Sequence, residues 1–317
     1  MRYLVVSLFA AVILPSSVDA QSDKPRSRPN IPNQTLQDDL TVLRDVVFGN
    51  GGGRDLTMHI VQPKPISDRP LPAYVWIHGG GWQGGTKEGG IRKVAALVRN
   101  GFVGATIEYR LTDEAAFPAQ IEDCKCAIRY LRAHAAKYNI DPDRIAVGGS
   151  SAGGHLAALV GTSAGVKELE GNGGWADQSS RVQAVVDLYG PTDFKQFVST
   201  PGYQGHNKDG SPESKLLGGG EVLSNTEGIK RVNPITYIDK DDPPFLIIHG
   251  ESDPVVPANQ SQSLHAALES AGVRSQIRLI PGAKHGGRGF ASPEIQKLQT
   301  TFLMNLAAPQ SDTVERQ

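Results

Sequence analysis

From about residue 36 onward, short apolar runs alternate with longer stretches of helical periodicity. Most of the short runs are continuously apolar rather than alternating, the mark of strands buried on both faces of a parallel sheet. The pattern predicts eight strands: Val42 to Phe48, Leu56 to Gln62, Ala73 to His78, Val103 to Tyr109, Ile145 to Gly148, Ala184 to Tyr189, Phe245 to His249 and Gln276 to Ile280. Helical spacing marks Arg92 to Arg99, Ala119 to Tyr138, Ala152 to Thr162, Ala258 to Ala271 and Pro293 to Leu306. Strands that alternate with helices in this way imply an α/β fold, a mostly parallel eight-stranded sheet covered by helices on both faces.

Two stretches break the alternation. Residues 163–181 and 199–231 are rich in Gly, Ser, Asn and Pro, and the second is long for a loop without structure of its own. Loops of that length are usually functional or mobile. Because it falls between the sixth and seventh strands, 199–231 reads as a small cap over an active site, with a plain surface insertion as the alternative. Residues 21–35 and 308–317 read as a disordered linker and tail. That leaves 36–307 as one catalytic domain, an ordinary size for a single α/β sheet.

The first residues read differently. Arg2 supplies a positive start, Leu4 to Leu14 is apolar but too short to span a bilayer, and Val18 and Ala20 are placed for cleavage before Gln21. This is the signature of a signal peptide over residues 1–20 and implies a secreted or periplasmic protein. No Cys follows the apolar run to carry a lipid anchor. A net charge of −1 without a basic stripe gives no footprint for nucleic acid or an acidic membrane surface. The only two cysteines, Cys124 and Cys126, sit two residues apart on a predicted helix and point away from each other. Cys124 shares helical spacing with Ile121, Ile128, Leu131 and Ala135, which marks it for core packing. Charge and cysteines leave the oligomeric state open.

The chemistry begins at Gly149-Ser150-Ser151-Ala152-Gly153, a G-x-S-x-G pattern. With 36 glycines in the chain the pattern alone is weak. Its setting is stronger: Arg144-Ile-Ala-Val147 runs into it as a strand and His155 to Val160 leaves it as a helix, the strand, sharp turn and helix of a nucleophile elbow. Ser151 is the candidate nucleophile; Ser150, framed by Gly148 and Ala152, is the weaker rival. After the third strand comes His78-Gly79-Gly80-Gly81-Trp82. A glycine-rich loop there can place the amides of Gly80 and Gly81, together with that of Ala152, as an oxyanion hole. Trp82 either lines the pocket for an acyl chain or ring, or simply packs. His78 precedes the nucleophile and reads as a brace for the loop.

With an elbow of this kind the chain order is nucleophile, acid, base. His265 and His285 follow any candidate acid. His265 lies within a periodic helix, whereas His285 lies in the loop after the last strand, and is the candidate base. Asp253, after the seventh strand, is the candidate acid that fixes its tautomer, with Glu251 as the fallback. Asp187 and Asp193 come too early and read as turn or strand-end residues.

Together these motifs, with Tyr109-Arg-Leu111, Phe117-Pro-Ala-Gln120, Asp141-Pro-Asp-Arg144, Tyr189-Gly-Pro-Thr-Asp193 and Asp253-Pro-Val-Val-Pro257, resemble the BD-FAE branch of α/β hydrolases over about residues 40–305. This branch comprises bacterial feruloyl and acetyl-xylan esterases and is a sister of the hormone-sensitive-lipase-like esterases. The resemblance implies an α/β-hydrolase fold and a serine esterase that needs no metal or cofactor, acting on small or polysaccharide-linked esters. A general short-chain carboxylesterase and an arylformamidase-like hydrolase share the same triad and stand as alternatives. The Gly-rich 199–220 stretch answers to no family pattern.

Overall fold

The computed structural model describes residues 38–307; the signal peptide, linker and tail expected at 1–20, 21–35 and 308–317 lie outside them. All eight expected strands form: β1 (Leu40–Gly51), β2 (Arg54–Pro63), β3 (Leu71–Ile77), β4 (Val103–Ile107), β5 (Ile140–Ser150), β6 (Ala184–Leu188), β7 (Phe245–Gly250) and β8 (Ser275–Ile280). They join one sheet in the order β1-β2-β4-β3-β5-β6-β7-β8. The β1–β2 and β2–β4 pairs are antiparallel and every later pair is parallel. The continuous apolar runs have the predicted cause: every residue of β3, β4, β6 and β7 is buried. Only at the edge does burial alternate, along β8.

The helices are α1 (Gly90–Arg99), α2 (Ala119–Ala133), α3 (Ala152–Thr162), α4 (Phe194–Ser199), α5 (Pro212–Leu216), α6 (Thr226–Val232), α7 (Asn259–Ser270) and α8 (Pro293–Ala307). All residues of α3 are buried, as a helix apolar on every side requires, and it packs between β5, β6 and α2. The α2 stretch ends earlier than its periodicity suggests. A separate 3-10 turn, Ala136–Tyr138, follows it, and left-handed Asn139 turns the chain into β5. Cys124 is buried in the core as expected, Cys126 is buried beside it, and both are free thiols. Among the described residues no helix is long and apolar enough to cross a membrane.

The two irregular stretches are ordered by polar contacts that composition does not reveal. In 199–231, α4, α5 and α6 are joined by short 3-10 turns. Each helix opens on a side-chain cap: Asp193 accepts from the Gln196 amide, Ser211 from that of Ser214 and Asn225 from that of Gly228. Phe194, Phe197, Leu216, Val222 and Val232 anchor the insertion from within. The 163–181 stretch is held by buried charge. Lys125, fully enclosed on α2, donates to the Ser163 carbonyl at 2.5 Å and to Glu170 at 2.9 Å, and Arg129 meets the same carboxylate at 2.8 Å.

Removing one partner of such a pair strands a buried charge. Glu170→Gln is expected to lower the unfolding free energy by about 3 kcal/mol, read as a fall in the urea midpoint at constant slope. An unchanged midpoint would show that the network contributes nothing to holding 163–181.

Candidate active site

Four loops converge at the carboxyl ends of the parallel strands β3, β5, β7 and β8, the end at which open α/β sheets bind ligands. The first is the turn from β5 to α3. Ser151 occupies it with φ 56° and ψ −123°, a conformation that L-residues rarely adopt. The residues two before and two after it must be glycine because the backbones touch there. A Cβ on Gly149 would stand 2.2 Å from the Gly153 carbonyl oxygen, and one on Gly153 would stand 2.2 Å from that of Ile77 on β3. The Ser151 amide donates to Leu188 of β6 at 2.9 Å, tying the turn to the next strand.

Facing it is the loop after β8, where His285 Nε2 lies 2.9 Å from Ser151 Oγ. Its Nδ1 lies 2.7 Å from Asp253 Oδ2, in the loop after β7. A carboxylate at Nδ1 assigns the proton to that nitrogen and leaves Nε2 to accept from the hydroxyl. The other oxygen of Asp253 accepts from the amides of Val255 and Val256 at 2.8 and 3.0 Å. Burial pushes the Asp253 pKa up, but hydrogen bonds from His249, His285 and the Val255 amide outweigh it and hold the carboxyl well below its usual range.

The remaining candidates stand elsewhere. Glu251 points to solvent, His265 bonds the Ser275 hydroxyl at the far edge of the sheet, and Asp193 caps α4. Asp187 is fully buried, with Oδ1 taken by the Gly190 amide and Oδ2 without a partner. Burial raises its pKa to about 6 despite the Gly190 bond.

The loop after β3 lies directly on the elbow. A Cβ on Gly79 would come within 2.6 Å of the Ser150 carbonyl oxygen and 3.2 Å of Ser151 Cβ. Gly80 and Gly81 take φ of 125° and 60°, and among the described residues no backbone acceptor takes either amide. Ala152 opens α3, where the first amides have no partner in the helix. Gly80, Gly81 and Ala152 border the same cavity, of about 610 Å³, as Ser151 and His285.

Trp82 also borders the cavity, but it is only 2% exposed and its indole donates to His155 Nδ1 at 3.2 Å. His155 in turn reaches the Val232 carbonyl at 2.8 Å with Nε2. This chain ties the glycine loop to α3 and α6, and packing is the larger part of what Trp82 does. His78 braces the same loop, stacked on Tyr109 at 4.3 Å with Nδ1 on the Gly79 carbonyl. The sequence reading assigned no role to His155, to Tyr189, or to His249. Tyr189 adopts a left-handed φ of 47° and packs edge-on against the His285 ring at 4.7 Å. His249 stands 3.4 Å from Asp253 Oδ2. All three lie in or beside the motifs, but the partners of His155 and Tyr189 come from segments far along the chain. The insertion expected as a cap contributes His206, Pro212 and Glu213 to the cavity wall.

Among the described residues, Asp45, His59 and Glu88 alone have metal-ligand spacing. A cation already sits there: Lys87 Nζ is 3.1 Å from Asp45 Oδ1. Both ring nitrogens of His59 are also engaged, by the Asp45 amide and by Glu88.

Residues 58–268 match the BD-FAE family. The chain belongs to that family of α/β-hydrolase esterases. A second, shorter match, over 225–315, is to the TAP-like protein family. Esterase LipQ of Mycobacterium tuberculosis is 31% identical over 76% of this chain and 56% of its own length, so the chain spans about half of that relative. A truncated form of a carbohydrate esterase from gut microbiota superposes with a TM-score of 0.75 at 34% identity, covering 84% of this chain and 96% of that one. A bifunctional GH43-CE protein of Bacteroides eggerthii gives 0.76 at 36% identity, covering 86% of this chain and 36% of that one.

The bracing of the BD-FAE glycine loop predicts a pH signature. Full burial pushes the His155 pKa down to about 4, against a smaller opposing pull from the Val232 carbonyl. A depressed histidine favours the fold while neutral, so its contribution is complete above about pH 6.5 and is lost as pH falls towards 4. It amounts to about 3 kcal/mol at most. Asp187, with its raised pKa, contributes a slope of opposite sign between about pH 4 and 6. The measurement is therefore the difference between wild type and His155→Gln, by urea unfolding from pH 7 to 4. The difference should shrink as pH falls, and a pH-independent difference would contradict the buried neutral histidine.

Proposed function

We propose that this chain hydrolyses carboxylic esters through an acyl-enzyme on Ser151. The supporting observation is the unbroken line from Ser151 Oγ through His285 to Asp253, at 2.9 and 2.7 Å, beside a cavity bordered by Gly80, Gly81 and Ala152. Ser151 Oγ attacks the carbonyl carbon as its proton passes to His285 Nε2, and Asp253 stabilises the imidazolium that forms. The amides of Gly80, Gly81 and Ala152 receive the oxyanion, and removing one such donor typically costs on the order of 100- to 1000-fold in rate. The bond to the alcohol oxygen then breaks, and His285 gives that oxygen its proton. Water passes a proton to the same nitrogen as its oxygen attacks the Ser151 ester. Collapse of the second oxyanion returns the proton to Ser151 and frees the acid.

We take the substrates to be feruloyl or acetyl esters, small or attached to polysaccharide. Support comes from membership of the BD-FAE family and from structural likeness to a protein described as a carbohydrate esterase. The basic start, short apolar run and small residues before Gln21 support export to the periplasm or beyond.

Ser151→Ala is expected to remain folded by circular dichroism and to lose about 10⁴- to 10⁶-fold in turnover. Activity above a tenth of wild type would transfer the role to Ser150. Asp253→Asn should cost up to about 10⁴-fold, since the amide favours the wrong imidazole tautomer, while Glu251→Gln should do little. The reverse order would move the acid to Glu251. Chelator should leave the rate unchanged, and its abolition by chelation would overturn the serine mechanism.

A further inference from the structure

One wall of the cavity carries charge that ester hydrolysis by Ser151 and His285 does not use. Much of the lining is apolar side chain, including Pro191, Val255 and Val256. Against them stand His206 and Glu213, both from the insertion between β6 and β7. Nδ1 of His206 lies 2.9 Å from Glu213 Oε2. The Glu213 side chain is 5% exposed, whereas that of His206 keeps 25% of its surface. The Glu213 hydrogen bond raises the His206 pKa against the opposing effect of burial.

The pair is held in place. Ser211 caps α5 and donates to the His206 carbonyl at 2.7 Å, and the His206 ring packs on Phe197 at 4.6 Å. Pro212 presses towards the glycine loop, where a Cβ on Gly81 would meet it at 3.3 Å. The pair therefore stands beside the loop assigned to the substrate carbonyl. Among the described residues no protein partner takes Glu213 Oε1 or His206 Nε2, and Oε1 is not sealed from the cavity. A carboxylate enclosed this far loses most of its hydration, a penalty that a slot for a plain acyl chain has no reason to carry. With Nδ1–H on Glu213, the protonated ring turns Nε2–H outward as a donor, and an acceptor oxygen beside a donor N–H suits a hydroxyl, which both donates and accepts.

We propose that His206 and Glu213 recognise a hydroxyl group of the ester substrate, with Glu213 Oε1 accepting a hydrogen bond from its O–H and His206 Nε2–H donating to its oxygen. This inference rests on the ester-hydrolase reading above. The hydroxyl can belong to the acyl group or to the alcohol, and two matched pairs of esters separate these sources. Methyl p-coumarate against methyl cinnamate reports on the acyl side. The monoacetate of trans-cyclohexane-1,2-diol against cyclohexyl acetate reports on the alcohol side.

In one pair the wild-type protein should prefer the hydroxylated ester by about tenfold in kcat/KM, the value of one charge-assisted hydrogen bond. Glu213→Gln should remove most of that preference, chiefly through KM. If Glu213→Gln does not fold, His206→Asn, at a half-buried position, is held to the same outcome. The pair of esters that loses its preference identifies the side. An active enzyme with no preference in either pair, or with a preference that neither substitution changes, overturns this inference alone. A wild-type protein that turns over none of the four esters overturns the hydrolase reading and this one with it.

Discussion

At the end of β5 the chain turns into α3 with no room for a methyl group two residues to either side of the serine. The contacts of Gly149 and Gly153 set this limit, and the backbone of β3 is one of the surfaces they touch. Ser151 is held in a strained conformation between two rigid elements, and the strain persists because strand and helix are both buried around it. A strained turn of this kind lifts the hydroxyl clear of the sheet. It also brings β3 so close that the loop leaving it, Gly79 to Gly81, has to lie against the elbow. The same crowding that excludes side chains therefore places amides and hydroxyl around one cavity.

Around that contact the protein invests buried polar groups in holding loops, and almost every one is matched. His155 is kept neutral between Trp82 and Val232. Asp253 is kept charged by two amides and two histidines. Opposite environments set opposite protonation states: burial keeps the ring neutral in one case, and hydrogen bonds hold the carboxylate against burial in the other. Asp187 is one of the exceptions among the described residues, with one carboxyl oxygen unmatched and the other on the Gly190 amide.

Much of this was legible in the sequence, because buried parallel strands leave continuous apolar runs and a nucleophile elbow is a local motif. Ser151, His285 and Asp253 follow from the motif and from chain order, and the structure brings the three side chains together. What escaped was long-range or short. The helices of the 199–231 insertion are five to seven residues long where they fall beyond α4, below the window in which helical periodicity shows, and are announced only by capping residues that read as loop composition. The pairing of His206 with Glu213 and of Lys125 with Glu170 depends on where irregular segments fold back. Trp82 illustrates the limit: an aromatic beside a glycine loop reads equally as pocket wall or packing, and only the His155 bond separates them.

The central claim is that Ser151 is the residue that takes the acyl group. A fluorophosphonate phosphonylates an activated serine and needs no assumption about substrate. Treating the full chain with such a probe, digesting it and sequencing the modified peptide by mass spectrometry places the adduct on a residue. The account predicts one phosphonyl group per chain, on Ser151, and its disappearance when His285→Ala removes the base that activates the hydroxyl. An adduct on Ser150, or labelling that survives the loss of His285 undiminished, would contradict it.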